Sequence, residues 1–146
     1  MSSGLSVFDT TINETNHWLK ALEDELPQCD RHQAYAAMRA VMHVVRDRLS
    51  PGGAMRLAAQ MPLLVRGVFT EGWRPDETPV RWHTPQAFID AVGAALPSEF
   101  PADPEFVTRR VIKVIWSKMN GGAMEKIKGE VPVTIRSLWP SEPAHN

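Results

Sequence analysis

Apolar residues recur along this chain at intervals of three and four, and prolines interrupt the pattern at regular places. In the first stretch Val7, Phe8, Ile12, Trp18, Leu19, Leu22 and Leu26 are expected to form one buried face of a helix that Pro27 stops, with Ser6 and Asp9 as its candidate cap. A second helix opens at Asp30, where Gln33 stands at the capping-box position, and buries Ala34, Ala37, Met38, Val41, Val44, Val45 and Leu49. Ser50-Pro51 restarts the chain as cap and first helical residue of a short helix over 51–60. Pro62 starts a fourth helix, which carries Leu64, Val65, Val68 and Phe69. The punctuation then repeats, with Thr84-Pro85, Asp103-Pro104, a capping Asn120 and Pro132. No alternating apolar and polar stretch is long enough for a strand. The pattern predicts an all-α protein.

Shifting the chain by seventy residues aligns 18–69 with 88–139 without a gap. Nine of the 52 pairs are identical, against about three expected from average residue usage. The identities include Arg39/Arg109, Pro62/Pro132 and Arg66/Arg136, and the core pairs are conservative, as in Trp18/Phe88 and Phe69/Trp139. The expected architecture is two similar tandem lobes of about four helices each, packed into one compact body. The first repeat spans 1–73, a linker 74–83, the second repeat 84–140 and a tail 141–146. Around the linker, TEGWRPDETPVRWH places Trp73 and Trp82 within fourteen residues. An indole buries about 200 Å² when covered, so both are expected to pack back and clamp the lobes. A ligand or partner surface is the alternative reading.

The phrases FDTTINETNHWLKALEDEL, DRHQAYAAMRAVMHVVRDRLS and LAAQMPLLVRGVFTEGW resemble a bacterial family of uncharacterised small proteins, the domain-of-unknown-function family DUF2267. The resemblance covers nearly the whole chain and is most specific over 8–75. It implies an all-helical cytoplasmic protein with two similar halves, and it implies no activity and no functional residues.

Charge and chemistry narrow the function by exclusion. Sixteen basic against seventeen acidic residues give a formal charge of −1, and neither half is strongly basic, so nucleic acid is not an expected partner. No apolar run approaches the ~20 residues that span a bilayer, and the start of the chain is unlike a secretory signal. A cytoplasmic location is expected, and no membrane association. Cys29 is the single cysteine, beside Asp30, which raises a thiol pKa. The five histidines never stand four apart, so no zinc pair forms on one helix face. Gly52-Gly53 and Gly121-Gly122 lack the lysine and strand of a phosphate loop and are read as flexible joints. The run Glu23-Asp24-Glu25 fans around its helix as a solvated face. No catalytic residue, cofactor or metal is expected.

The candidate binding residues are Arg39, Arg66, Glu71, Trp73, Trp82, Arg109 and Arg136. In one reading the repeated arginines cap helix carbonyls or pair with carboxylates of their own lobe. In the other they line an inter-lobe cleft and grip an anion or a partner helix. His43, Arg46, Lys113 and Trp116 differ between the repeats and are placed on the solvent face of their helices. Expected overall is a non-enzymatic interaction module that binds a protein partner or itself. The alternative is a small anionic-ligand binder, with weak catalysis at most, that uses the arginines and tryptophans.

Overall fold

The computed structural model describes residues 3–119 and 121–140. It contains helices α1 (Ser6–Glu25), α2 (Arg31–Arg48), α3 (Pro51–Ala59), α4 (Leu63–Thr70), α5 (Pro85–Ala95), α6 (Pro104–Ser117) and α7 (Gly121–Glu130), with 3₁₀ turns at Pro75–Glu77 and Ile135–Leu138. No strand occurs among the described residues, and the chain is all-α.

Local chemistry accounts for most helix starts. Asp30 accepts from the Gln33 amide at 2.8 Å and donates its own amide to the Gln33 side chain at 2.9 Å, a complete capping box. Ser50, Thr84 and Asp103 each accept a first-turn amide and each precede a proline in the first turn. Two starts differ from expectation, and a third is untested. Leu5, not Ser6, holds the cap position of α1 and, having no polar side-chain atom, makes no cap bond, while Asp9 accepts from the Ser3 amide at 2.7 Å. Pro62 stands one residue before α4 rather than inside it. Asn120 lies outside the described residues.

The fourth element of the second half is a 3₁₀ turn instead of an α-helix. Val133, Thr134 and Ile135 are β-branched, and Trp139 precedes Pro140, which disfavours helical backbone there. The Thr134 hydroxyl is also engaged, donating to the His83 carbonyl.

Both halves close over α2. It packs on α1 and α4 of the first half and on α5 and α6 of the second, while α1 also meets α6 and α3 meets α7. With the exception of the α3–α4 contact, this set of pairings is unchanged when each element is exchanged for its counterpart seventy residues away. Leu22, Met38, Met42, Phe69, Phe88, Ile112, Ile127 and Ile135 are fully buried in a single continuous cluster. Each contributes about 1.5–3 kcal/mol by leaving water.

Two carboxylates tie the halves across this core. Glu25 accepts from Arg110 at 2.9 Å and pairs with Lys113 at 3.1 Å. The acidic run is therefore not a plain solvated face: Glu23 pairs with Arg31, Asp24 with Lys20, and Glu25 reaches the other half. Glu130 accepts from the Ser50 hydroxyl at 2.8 Å and from Arg56 at 2.6 Å. A Cβ at Gly53 would collide with that carboxylate, so this glycine serves close approach rather than flexibility.

Gly53→Ala should therefore displace the Glu130 carboxylate from Ser50 and Arg56. Because that carboxylate ends a flexible side chain and alanine favours the helix by about 0.5–1 kcal/mol, the net loss should stay under about 1 kcal/mol, read as a small fall in the urea midpoint. An unchanged midpoint would show that Glu130 can move aside freely. Glu25 provides a pH test. The Arg110 hydrogen bond, helped by Lys113, holds its carboxyl below the usual carboxylate range, against the opposing effect of burial. A depressed folded-state pKa adds stability that is present above the unfolded value and lost as pH falls through the folded one. The difference in Tm between wild type and Glu25→Gln should thus be positive near neutrality and shrink in acid.

Candidate functional site

Arg66 and Arg136 make similar contacts with backbone carbonyls, whereas Arg39 and Arg109 do not share partners. Arg66 donates from Nε to the Ala58 carbonyl and from Nη2 to the Met61 carbonyl, both at 3.0 Å. Arg136 donates from Nε to Val131 at 2.9 Å and from Nη2 to Gly129 at 3.4 Å, and Val131 is the counterpart of Met61. Arg39 pairs with Glu71 at 2.8 Å, beyond the end of α4. Arg109 bonds Glu105 one turn earlier at 3.0 Å and reaches the Ser137 carbonyl at 2.7 Å. Helix ends leave carbonyls without intrahelical donors, and the guanidinium fork supplies donors in fixed geometry.

Arg46 corrects the placement of its helix face in solvent. It is only 4% exposed and donates to the Phe69 carbonyl at 2.9 Å and the Glu71 carbonyl at 2.8 Å, with Asp47 beside it at 2.8 Å. His43, half-buried, bonds the Val68 carbonyl through Nε2 at 2.8 Å. A carbonyl can only accept, so the proton sits on Nε2. Burial pushes the His43 pKa below the ordinary histidine range, the Val68 bond opposes this, and the Arg46 and Arg39 charges add to the lowering. Glu71 is held low by its hydrogen bond to Arg39 and by that guanidinium's charge. Around the C-terminal end of α4, Arg39, His43, Arg46 and Glu71 therefore form one polar cluster. Trp73 packs against the core near it, and its indole N–H is buried without an acceptor among the described residues.

Trp82 belongs to a different group. Its ring meets Phe88 edge-on at 6.3 Å, Phe88 meets Trp139 at 6.1 Å, and Trp139 meets Trp116 at 6.2 Å. The candidate residues are therefore divided among several places. Arg39 and Glu71 are joined, Arg109 and Arg136 brace the second half, and Trp82 heads an aromatic series.

Two surfaces have the shape of binding sites. The first is an apolar face made by the start of α1 and by α4. Leu5, Val7, Phe8, Ile12, Leu63 and Leu64 are each between 42 and 56% exposed. Phe8, Ile12, Leu63 and Leu64 line a groove of about 380 Å³ floored by Thr11 and Gly67. The Thr11 hydroxyl accepts the Leu64 amide at 2.8 Å, which fixes the two helices together under the groove. The sequence carried a signal for this face in its adjacent apolar pairs. Neighbours on a helix lie about 100° apart, so Val7-Phe8 and Leu63-Leu64 widen the apolar stripe beyond what the core can cover.

The second surface is a cleft of about 510 Å³ lined by Glu14, His17, Trp18, Met61, Arg66 and Lys118, among others. Lys118 comes from the end of α6, so both halves contribute. Arg66 has two donor atoms committed to carbonyls, and its Nη1 takes no partner among the described residues. Arg39, Arg109 and Arg136 do not line this cleft.

Other chemistry is sparse among the described residues. No group of three or more His, Cys, Asp or Glu could hold a metal ion. No helix is long and apolar enough to cross a membrane. Burial, and then the Asp30 charge, push the Cys29 thiol up, away from the thiolate that a nucleophile needs.

The described residues define an all-helical protein on one core, rich in guanidinium–carbonyl bracing. The chain belongs to the family of uncharacterized conserved proteins designated DUF2267, whose profile matches residues 15–138. A comparison with curated proteins gave no match. The family region thus includes the cleft residues His17, Trp18, Arg66 and Lys118, whereas Phe8 and Ile12 precede it.

Replacing Arg46 by Ala would leave the carbonyls of Phe69 and Glu71 without their donor. A loss of about 2–4 kcal/mol is expected by denaturant unfolding. Arg109→Ala, at an exposed site, should cost under about 1 kcal/mol. Equal losses at the two positions would mean that burial does not set their difference.

Proposed function

We propose that this chain is a non-enzymatic helical interaction module that pairs with a second copy of itself through the α1–α4 face. The observation that carries the reading is the set of six large apolar side chains left bare there. At about half exposure they leave on the order of 500 Å² of apolar surface in water, near the upper end for the largest patch on a typical monomer. A standard interface takes about 800 Å² from each partner, a little over half of it apolar. One such face supplies one partner's share.

Two further features favour a second copy as the occupant. Self-pairing brings identical charges together, and a formal charge of −1 makes that repulsion negligible. Two-fold pairs are also the commonest assembly of soluble chains, and they need only one self-complementary patch. The Thr11–Leu64 bond keeps the face rigid, so little ordering entropy opposes docking.

Sedimentation velocity tests this directly. The wild-type chain should run at twice the monomer mass at micromolar concentration. Phe8→Glu and Leu64→Glu, both at exposed positions, should run as monomers with an unchanged helical circular dichroism spectrum. A wild-type chain that stays monomeric would overturn the reading.

A further inference from the structure

The two halves differ at one matched corner. In the second half the stretch Val80–His83, turned at Arg81 by a bond from the Trp82 amide to the Val80 carbonyl at 3.0 Å, is seated between the end of α2, the start of α5 and the segment after Pro132. The Val80 amide donates to the Asp47 carbonyl at 2.7 Å, and Arg48 donates to the Trp82 carbonyl at 2.9 Å. The Thr134 hydroxyl donates to the His83 carbonyl, and the Trp82 ring lies edge-on to Phe88. Three backbone groups and one indole thus hold the segment in place.

The counterpart corner in the first half is the cleft described above. Seventy residues relate Arg48 to Lys118, Phe88 to Trp18 and Arg136 to Arg66, and Lys118, Trp18 and Arg66 all line that cleft. The counterparts of Val80–His83 are Thr10–Asn13, which lie inside α1. The cleft thus repeats the Arg48 and Phe88 part of the seat as Lys118 and Trp18, while Ser117 and Leu64, the counterparts of Asp47 and Thr134, do not line it, and no segment of the first half takes the place of Val80–His83.

We propose that the first-half cleft receives a short turned segment of a partner protein that sets a tryptophan against the small part of Trp18 left exposed there and an acidic residue facing Lys118. The tryptophan follows from Trp82, whose ring takes the equivalent aromatic floor. The acid follows from charge: Arg66 and Lys118 outnumber Glu14, and neither makes an ion pair among the described residues. In the filled corner Arg81 lies near enough to Arg48 for their like charges to repel. A carboxylate at that place in the partner segment would meet Lys118 with the opposite sign. The proposal shares the interaction-module reading but not its surface, since the two sites meet only at Leu63 and Glu14.

The probe is a peptide of residues 78–84, TPVRWHT, carrying Arg81→Glu, titrated into the ¹⁵N-labelled full chain up to millimolar concentration. Saturable shifts are expected at Trp18, Arg66 and Lys118. Affinity should fall at least tenfold when the peptide's tryptophan is replaced by alanine, and at least tenfold for the Lys118→Glu chain. Lys118→Glu should in turn bind the unmodified arginine-bearing peptide better than wild type does, an exchange that loss of folding could not produce. The Phe8→Glu chain should bind as wild type does, which separates this site from self-pairing. Absent or non-saturable shifts would overturn the proposal, as would equal binding of the alanine peptide. Inorganic phosphate moving the same resonances while the peptide does not would also overturn it, and would mark an anion site.

Discussion

Short helices multiply helix ends, and every C-terminal end exposes carbonyls that the helix itself cannot satisfy. This chain solves that problem mainly with arginine. Arg46 closes the end of α4, Arg66 the end of α3 and the turn beyond it, and Arg136 the end of α7. Arg48 takes the Trp82 carbonyl and Arg109 that of Ser137, while His43 takes Val68. Without these donors, each buried carbonyl would cost about 1–3 kcal/mol. Arginine suits the task because its stem packs against apolar neighbours while its planar fork reaches two acceptors at once. The large share of arginine among the basic residues thus serves the fold more than any site.

Much of the fold was legible in the chain. Helix-start prolines and the Asp30–Gln33 capping box are local devices whose partners lie within four residues, so sequence alone exposes them. The missed features depend on distant partners. Arg46 sits on the polar side of a helical wheel, yet its acceptors lie 23 and 25 residues away, at the end of α4 and just beyond it. Glu25 sits in an acidic run, and its partner Arg110 stands 85 residues later. The loss of the last α-helix was partly visible, in three successive β-branched residues and a proline just past Trp139.

The candidate site was less legible for the same reason. Repetition of Arg66 and Arg136 marked them as important without saying for what, and their contacts are with backbone of their own half. Lys118 was never singled out, because its neighbours Trp18 and Arg66 come from the other half of the chain. The exposed apolar face could be inferred only by noticing that Val7-Phe8 and Leu63-Leu64 overfill a helical stripe. What distinguishes the halves chemically is the treatment of one corner, which the chain covers with its own linker in one half and leaves bare in the other.

The position of α2 has a consequence for synthesis. Its surface is divided between helices that precede or closely follow it and helices α5 and α6, the latter ending at Ser117. A nascent chain that has released only its first half presents α2 without α5 and α6, so the apolar side chains meant for them face water. The contacts of α2 with α5 and α6 can form only once those helices have emerged, since chain appears from the N-terminus onward. During that interval the half-built protein must be shielded or made quickly.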